Sequence, residues 1–266
     1  MQKNIPVDRR IMYKVTAVVQ FVTLGFQWAL FRFFLRLKIE GSEKIKNLSK
    51  ESLLFASNHV SHLDPLLIPT GLFGSRHFPT FMVSLSKDSY RDGWFERAFY
   101  GGSIFKLMGA YPTFRGLGNY EKSLRHQIEL LEHGRSLCIF PEGVATSDAT
   151  LRPPKPGVAF LSHRTGSRVV PVAIHGLEGV SWKTFFLRKH TVTVIFGRPL
   201  SLYSETLSTA EANSRLSDNR LDSYRKNAQQ VMGYVGTLKQ QQEERLRDIS
   251  RQEEMRAKEG DPVILR

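Results

Sequence analysis

Residues 52–65 read SLLFASNHVSHLDP. The first six are apolar or small and carry no charge, the pattern of a short strand buried on both faces. The run stops at Asn58-His59. Asp64-Pro65 then places a capping carboxylate and a proline at the start of a helix. A strand that ends in a loop and hands over to a helix is the unit of an α/β sheet, and ligands bind such sheets at the carboxyl ends of their strands. His59 stands at that edge, with Asp64 anchored five positions on. Imidazole is a natural general base near neutral pH, and a carboxylate on its other nitrogen fixes the tautomer and stabilises the imidazolium. An Asp that merely caps a helix beside a polar loop His has the same spacing, so the pair alone leaves the choice open.

Outward from this stretch, strands and helices alternate. FMVSL (81–85), SLCIF (136–140), RVVPVAI (168–174) and HTVTVIFG (190–197) read as strands. Residues 65–73, 94–108, 119–134 and 156–166 read as helices, with Gly134 as a C-terminal stop. The pattern predicts an α/β domain with a mostly parallel central sheet flanked by helices. Pro171 inside a strand pattern points to a strand end, a bulge or an edge position. Three segments are expected: 1–40, an N-terminal membrane-associating helix; 41–203, the catalytic domain; 204–266, a polar helical C-terminal tail. The tail has an apolar stripe at Val231, Tyr234, Val235 and Leu238, and is charged nearly all round beyond it.

The N-terminal segment is apolar from Val15 to Leu37, interrupted by Arg32 and Arg36. Thr16, Gln20, Thr23 and Gln27 recur at helical spacing and form one polar stripe. Cations flank both ends, whereas a simple span prefers a one-sided bias. A helix embedded in one leaflet fits this pattern, and an ordinary buried helix of a soluble core is the competing reading. The chain carries 38 Lys and Arg against 25 Asp and Glu, a formal net charge of +13. An anionic membrane surface suits that balance. No basic recognition helix or interleaved aromatic platform appears, so no nucleic-acid partner is expected. The one cysteine, Cys138, excludes an internal disulfide framework and lies in an apolar run, as a core residue does.

No G-x-S-x-G nucleophile elbow is present, so the attacking group activated by such a base would be a hydroxyl of the substrate. His59, His62 and Asp64 also spell H-x2-H-x-D. The spacing is wrong for a binuclear metallo-hydrolase, and no metal site is expected. Lys87 reads as a solvated lysine.

Further blocks follow in order: GAYPTFR (109–115), FPEG (140–143) and VPV (170–172). With Asn58, His59 and Asp64 they make the chain resemble, over residues 40 to 200, the glycerolipid acyltransferase family of lysophosphatidic acid and glycerol-3-phosphate acyltransferases. The resemblance implies acyl transfer from acyl-CoA or acyl-carrier protein, as co-substrate and with no cofactor, to the hydroxyl of a lysophospholipid acceptor. The leading acceptor is 1-acyl-glycerol-3-phosphate, and another lysolipid such as a lyso-ornithine lipid is the alternative. It implies His59 as base and Asp64 as its partner. It also implies substrate contacts at Asn58, Arg115, Pro141, Glu142 and Gly143, on a membrane-associated enzyme whose site faces the cytoplasm. Arg115 offers a planar charged fork suited to phosphate, and Gly143 lets backbone approach a ligand. The chain departs from the family where T-R-S usually follows F-P-E-G: it reads Val144-Ala145-Thr146. Arg152 or Lys155 is then the expected replacement cation. A non-catalytic membrane-binding protein on the same fold is the remaining alternative.

Overall fold

The computed structural model describes residues 7–46, 48, 51–85, 107–114, 119–146, 150–202 and 218–259. Its strands are β1 (Lys38–Glu40), β2 (Leu53–Ser57), β3 (Thr80–Leu85), β4 (Ala110–Thr113), β5 (Ser136–Ile139), β6 (Arg168–His175) and β7 (Thr193–Phe196). Its helices are α1 (Val7–Phe34), α2 (Glu43–Lys46), α3 (Asp64–Gly71), α4 (Tyr120–Ser123), α5 (Arg125–Glu132), α6 (Gly157–Thr165), α7 (Trp182–Phe186) and α8 (Asp218–Glu259). Among the described residues the strands form one sheet in the order β1-β7-β6-β2-β5-β3-β4. β6, β2, β5, β3 and β4 are parallel. β7 pairs antiparallel with β6, and β1 lies parallel to β7. The expected mostly parallel α/β sheet is therefore present.

β2 is the central strand of this order and is buried at all five residues. Its side chains alternate between two cores. Leu53 and Phe55 join Phe31 of α1, Leu35 just beyond it, and Leu67 and Ile68 of α3. Leu54 and Ala56 join Ile128 and Leu131 of α5, Val158 and Leu161 of α6, and Tyr224, Ala228 and Val231 of α8. This period-two division is what a doubly covered strand requires. Cys138 on β5 is fully buried, and burial pushes its thiol well up, as a core residue and not a nucleophile.

Several expectations change. The helix over 119–134 is two, α4 and α5, meeting at Leu124. The segment over 94–108 lies almost wholly outside the described residues, as do Lys87 and Arg115. The polar helical tail packs on the domain over its first half. The first half of α8 buries Tyr224, Ala228, Val231, Met232 and Val235 against the sheet, and Arg245 pairs with Glu40 of β1 at 2.7 Å. Tyr234, in the expected apolar stripe, is 44% exposed. Pro171 lies inside β6, paired with Ala56. Val172 faces Phe196, but Val169 faces Leu200, so the outer chain carries one extra residue there. That bulge falls where β7 ends, and the Gly197 N–H donates to the Pro171 carbonyl at 2.8 Å beside it.

Candidate active site

β2 ends at Ser57, and Asn58 closes the strand. Its side-chain amide donates to the Ile174 carbonyl and accepts from the Ile174 N–H, both at 2.8 Å. The side chain thus adds a rung between β2 and β6. It is buried, and its amide bonds at both ends hold the sheet edge.

His59 follows. Its Nδ1 lies 2.8 Å from Asp64 Oδ2. The same oxygen accepts the Val60 N–H at 2.6 Å and the Ser61 N–H at 2.9 Å. Asp64 therefore does not cap the helix it begins; its carboxylate turns back and organises the loop before it. Asp64 is fully buried, and burial pushes its carboxyl above the ordinary carboxylate value, against the opposing pull of His59 and the two N–H groups. The imidazole keeps 18% exposure. With Nδ1–H donated to Asp64, Nε2 is left as the acceptor nitrogen.

The loop after β5 fixes His59 from the other side. The Phe140 ring stacks on the imidazole with centroids 4.3 Å apart. Glu142 is buried and accepts the His59 N–H on Oε1 at 2.9 Å and the Arg152 N–H on Oε2 at 2.9 Å. Thr146 donates its N–H to the His59 carbonyl at 2.8 Å, with its hydroxyl at 3.3 Å. The His59 backbone is thus held at both its N–H and its C=O. Glu142 and Thr146 position His59, a role the sequence did not reveal because each bond joins residues more than 80 positions apart.

Pro141 is buried, and its carbonyl accepts the Lys155 N–H at 2.8 Å. Gly143 has φ +72°, and a Cβ there would sit 2.6 Å from Lys155 Nζ. The missing side chain is what lets the lysine fold over the turn. The structure thus brings His59, Asp64, Phe140, Glu142, Gly143 and Lys155 to one sheet edge, with the Arg152 backbone tied in through Glu142. Arg115 lies outside the described residues. Gly109, the first residue of its motif, is described: φ is +89°, and a Cβ would come within 3.0 Å of Gln20 Nε2. That glycine makes room for α1. His62 is exposed.

The model of the acyltransferase family matches residues 36–175. A probable 1-acyl-sn-glycerol-3-phosphate acyltransferase of Mycoplasma pneumoniae is 26% identical over 168 residues, 59% of this chain and 59% of that protein. A chloroplastic 1-acyl-sn-glycerol-3-phosphate acyltransferase of Arabidopsis thaliana is 28% identical over 189 residues, 70% of this chain and 49% of that protein. The matches thus span less than two thirds of these curated relatives. The crystal structure of the 1-acyl-sn-glycerophosphate (LPA) acyltransferase PlsC from Thermotoga maritima shares the fold, with a TM-score of 0.51, 19% identity, and coverage of 87% of this chain and 81% of that one. With the His59–Asp64 edge lying inside a family match that covers more than half of its length, the chain belongs to the acyltransferase family.

Proposed function

We propose that the protein is a membrane-associated O-acyltransferase that moves a fatty acyl group from acyl-CoA or acyl-carrier protein to the hydroxyl of a lysophospholipid. The observation that carries this reading is the 2.8 Å bond between His59 Nδ1 and buried Asp64, which leaves Nε2 as a base at a sheet edge. The lone cysteine is buried in the core, so the acceptor's own hydroxyl attacks the thioester carbonyl. His59 Nε2 takes the hydroxyl proton as the C–O bond forms. The tetrahedral intermediate collapses, the C–S bond breaks, and the imidazolium returns the proton to the departing thiolate. Asp64 stabilises the imidazolium in between. No acyl-enzyme forms, and no cofactor beyond the donor is needed. The names of the relatives favour 1-acyl-glycerol-3-phosphate as acceptor, giving phosphatidate. Lys155, Arg152 and Arg115 are the cations for its phosphate.

Membrane association rests on α1. The stretch Ile11–Phe34 is long and apolar enough to cross a bilayer. However, it is tied to the domain along its length. Tyr13 meets Phe81, Gln20 bonds to Thr80 and Met108, Gln27 bonds to Leu66 and Thr70, and Phe31 and Leu35 enter the core. A helix held in this way cannot cross a bilayer and leave its domain outside. It lies in one leaflet, with the catalytic edge on the cytoplasmic face.

The test is transfer of a labelled acyl group from either donor to a panel of lysolipids in vesicles, with wild type beside His59→Ala. Transfer to lysophosphatidate that vanishes in the variant supports mechanism and substrate together. Transfer only to another lysolipid keeps the mechanism and replaces the acceptor. No transfer from either donor, with folding and vesicle binding intact, rejects the enzyme reading. An acceptor KM unchanged in Arg152→Ala and Lys155→Ala rejects the phosphate assignment to those two side chains.

A further inference from the structure

α7 follows the carboxyl end of β6 and presents Trp182, Phe186 and Leu187 to solvent at 75%, 58% and 56% exposure. The exposure is not fraying. Ser181 and Thr184 form a reciprocal capping box at its start. His190 Nε2 lies 2.9 Å from Thr184 Oγ1, and its Nδ1 lies 3.1 Å from the Gly176 carbonyl. Phe185, on the inner side, is buried and stacks on Phe34 of α1.

Two arginines join this turn to the end of α1. Arg188 donates to the Phe33 carbonyl at 3.1 Å and lies 4.3 Å over the Phe33 ring. Arg36 donates to the Arg188 carbonyl at 2.9 Å. Both hold left-handed backbone, φ +55° and +45°, which side chains other than glycine rarely adopt. The reciprocal ties keep both turns in that conformation. Their effect is to set exposed Phe33 and half-buried Phe34 beside Phe186 and Trp182 in one aromatic surface. Arg36, Lys183, Arg188 and Lys189 are exposed around it. Exposed rings rimmed by cations match the interface of an anionic bilayer, where rings sit at headgroup level and cations meet phosphates.

We propose that α7 and the end of α1 form a second bilayer-docking surface, specific for anionic lipid, separate from the long apolar face of α1. The proposal rests on the reading of α1 as a helix embedded in one leaflet. It adds an orientation. β6 and β2 end at the same sheet edge, with Ser57 in register with Val172 and Asn58 clamped to Ile174. Docking through α7 therefore turns the edge that carries His59 toward the lipid.

Trp28→Phe with Trp94→Phe leaves Trp182 as the sole tryptophan of the full chain. On phosphatidylcholine–phosphatidylglycerol vesicles its emission shifts to the blue and is quenched by lipids brominated near the headgroup. Trp182→Ser with Phe186→Ser and Leu187→Ser weakens partition to these vesicles on the order of tenfold or more. Lys183→Gln and Lys189→Gln, which leave the fold untouched, each weaken it roughly fivefold, and only when phosphatidylglycerol is present. Unquenched Trp182 with unchanged partition in these variants overturns the proposal. If Phe21→Ser with Val22→Ser and Phe26→Ser still abolishes binding, the α1 reading survives that failure; if it does not, both fall. If the α7 serine variant instead dissociates an oligomer in sedimentation while vesicle binding is unchanged, the surface belongs to a second copy of the chain and the proposal is overturned.

Discussion

α1 and α8 are both long helices that bury one stripe against the same domain, yet their polarity is inverted. α1 buries Tyr13, Thr16, Gln20, Leu24, Gln27 and Phe31, and turns Val18, Phe21, Val22 and Phe26 outward. α8 buries Tyr224, Ala228, Val231, Met232 and Val235, and turns Arg, Lys, Glu and Gln outward. A helix facing water buries its apolar face, as α8 does. A helix facing hydrocarbon gains little by hiding apolar groups and gains much by placing its polar groups where partners exist. α1 follows the second rule. Gln20 alone serves the Thr80 carbonyl, the Thr80 N–H and the Met108 carbonyl. Under the proposed membrane association, the two helices read out two different solvents on one small domain.

The contrast breaks most visibly if the outward face of α1 is made polar. Phe21→Ser with Val22→Ser and Phe26→Ser is expected to lower vesicle partition on the order of 10³-fold while thermal stability holds, measured by flotation and by melting. A loss of stability in its place would mean that this face packs on protein. Gln20→Leu makes α1 more apolar yet is expected to destabilise the fold by about 3 kcal/mol in urea titration, because it orphans buried backbone groups. A neutral or stabilising result would mean that the Gln20 bonds do not hold α1 to the domain. On α8 the rule reverses: Val231→Ala and Val235→Ala are each expected to lose about 2 kcal/mol in the same titration, with vesicle binding unchanged.

The smallest effect is pH dependence. His77 packs beside Phe55 on the α1 side of the sheet, and His163 contacts Tyr224 of α8. Burial lowers the pKa of both from 6.5. The unfolded chain then binds protons that the folded chain refuses, so both contributions are fully present above pH 6.5 and are lost as pH falls toward the folded values. Buried Asp64 has the opposite sign: its raised value favours the folded state below 3.8 and loses that contribution as pH rises through the folded value. The urea midpoint should therefore fall from about pH 7 toward about pH 5, less steeply in His77→Gln and His163→Gln. Equal slopes in wild type and variants would remove both histidines from the account.

The stretch 52–65 was legible because strand, loop and helix each carry a local signal: an uncharged apolar run, a polar break and Asp-Pro. What failed was long-range or directional. Period-two alternation finds β7 but carries no direction, so its reversal against β6 could not be read. β1 and β4 have three and four residues, too few for a period, and β4 contains Pro112. The docking of α8 was missed because its buried stripe includes Ala228 and ends in buried Lys239 and Gln242, which look solvated in sequence. Within the site, His59 and Asp64 were legible as a pair. The Asn58, Glu142 and Thr146 bonds were not, since their partners Ile174, Arg152 and His59 are backbone groups that any residue could supply.

The most direct measurement is a double-mutant cycle on acyl transfer with His59→Ala, Asp64→Asn and the pair, each checked for folding by circular dichroism. If His59 is the base and Asp64 acts through it, each single change lowers kcat by ~10²–10⁴-fold and the double is no worse than the weaker single. Losses that multiply in the double variant, or activity that survives His59→Ala, would contradict a dyad acting as one unit.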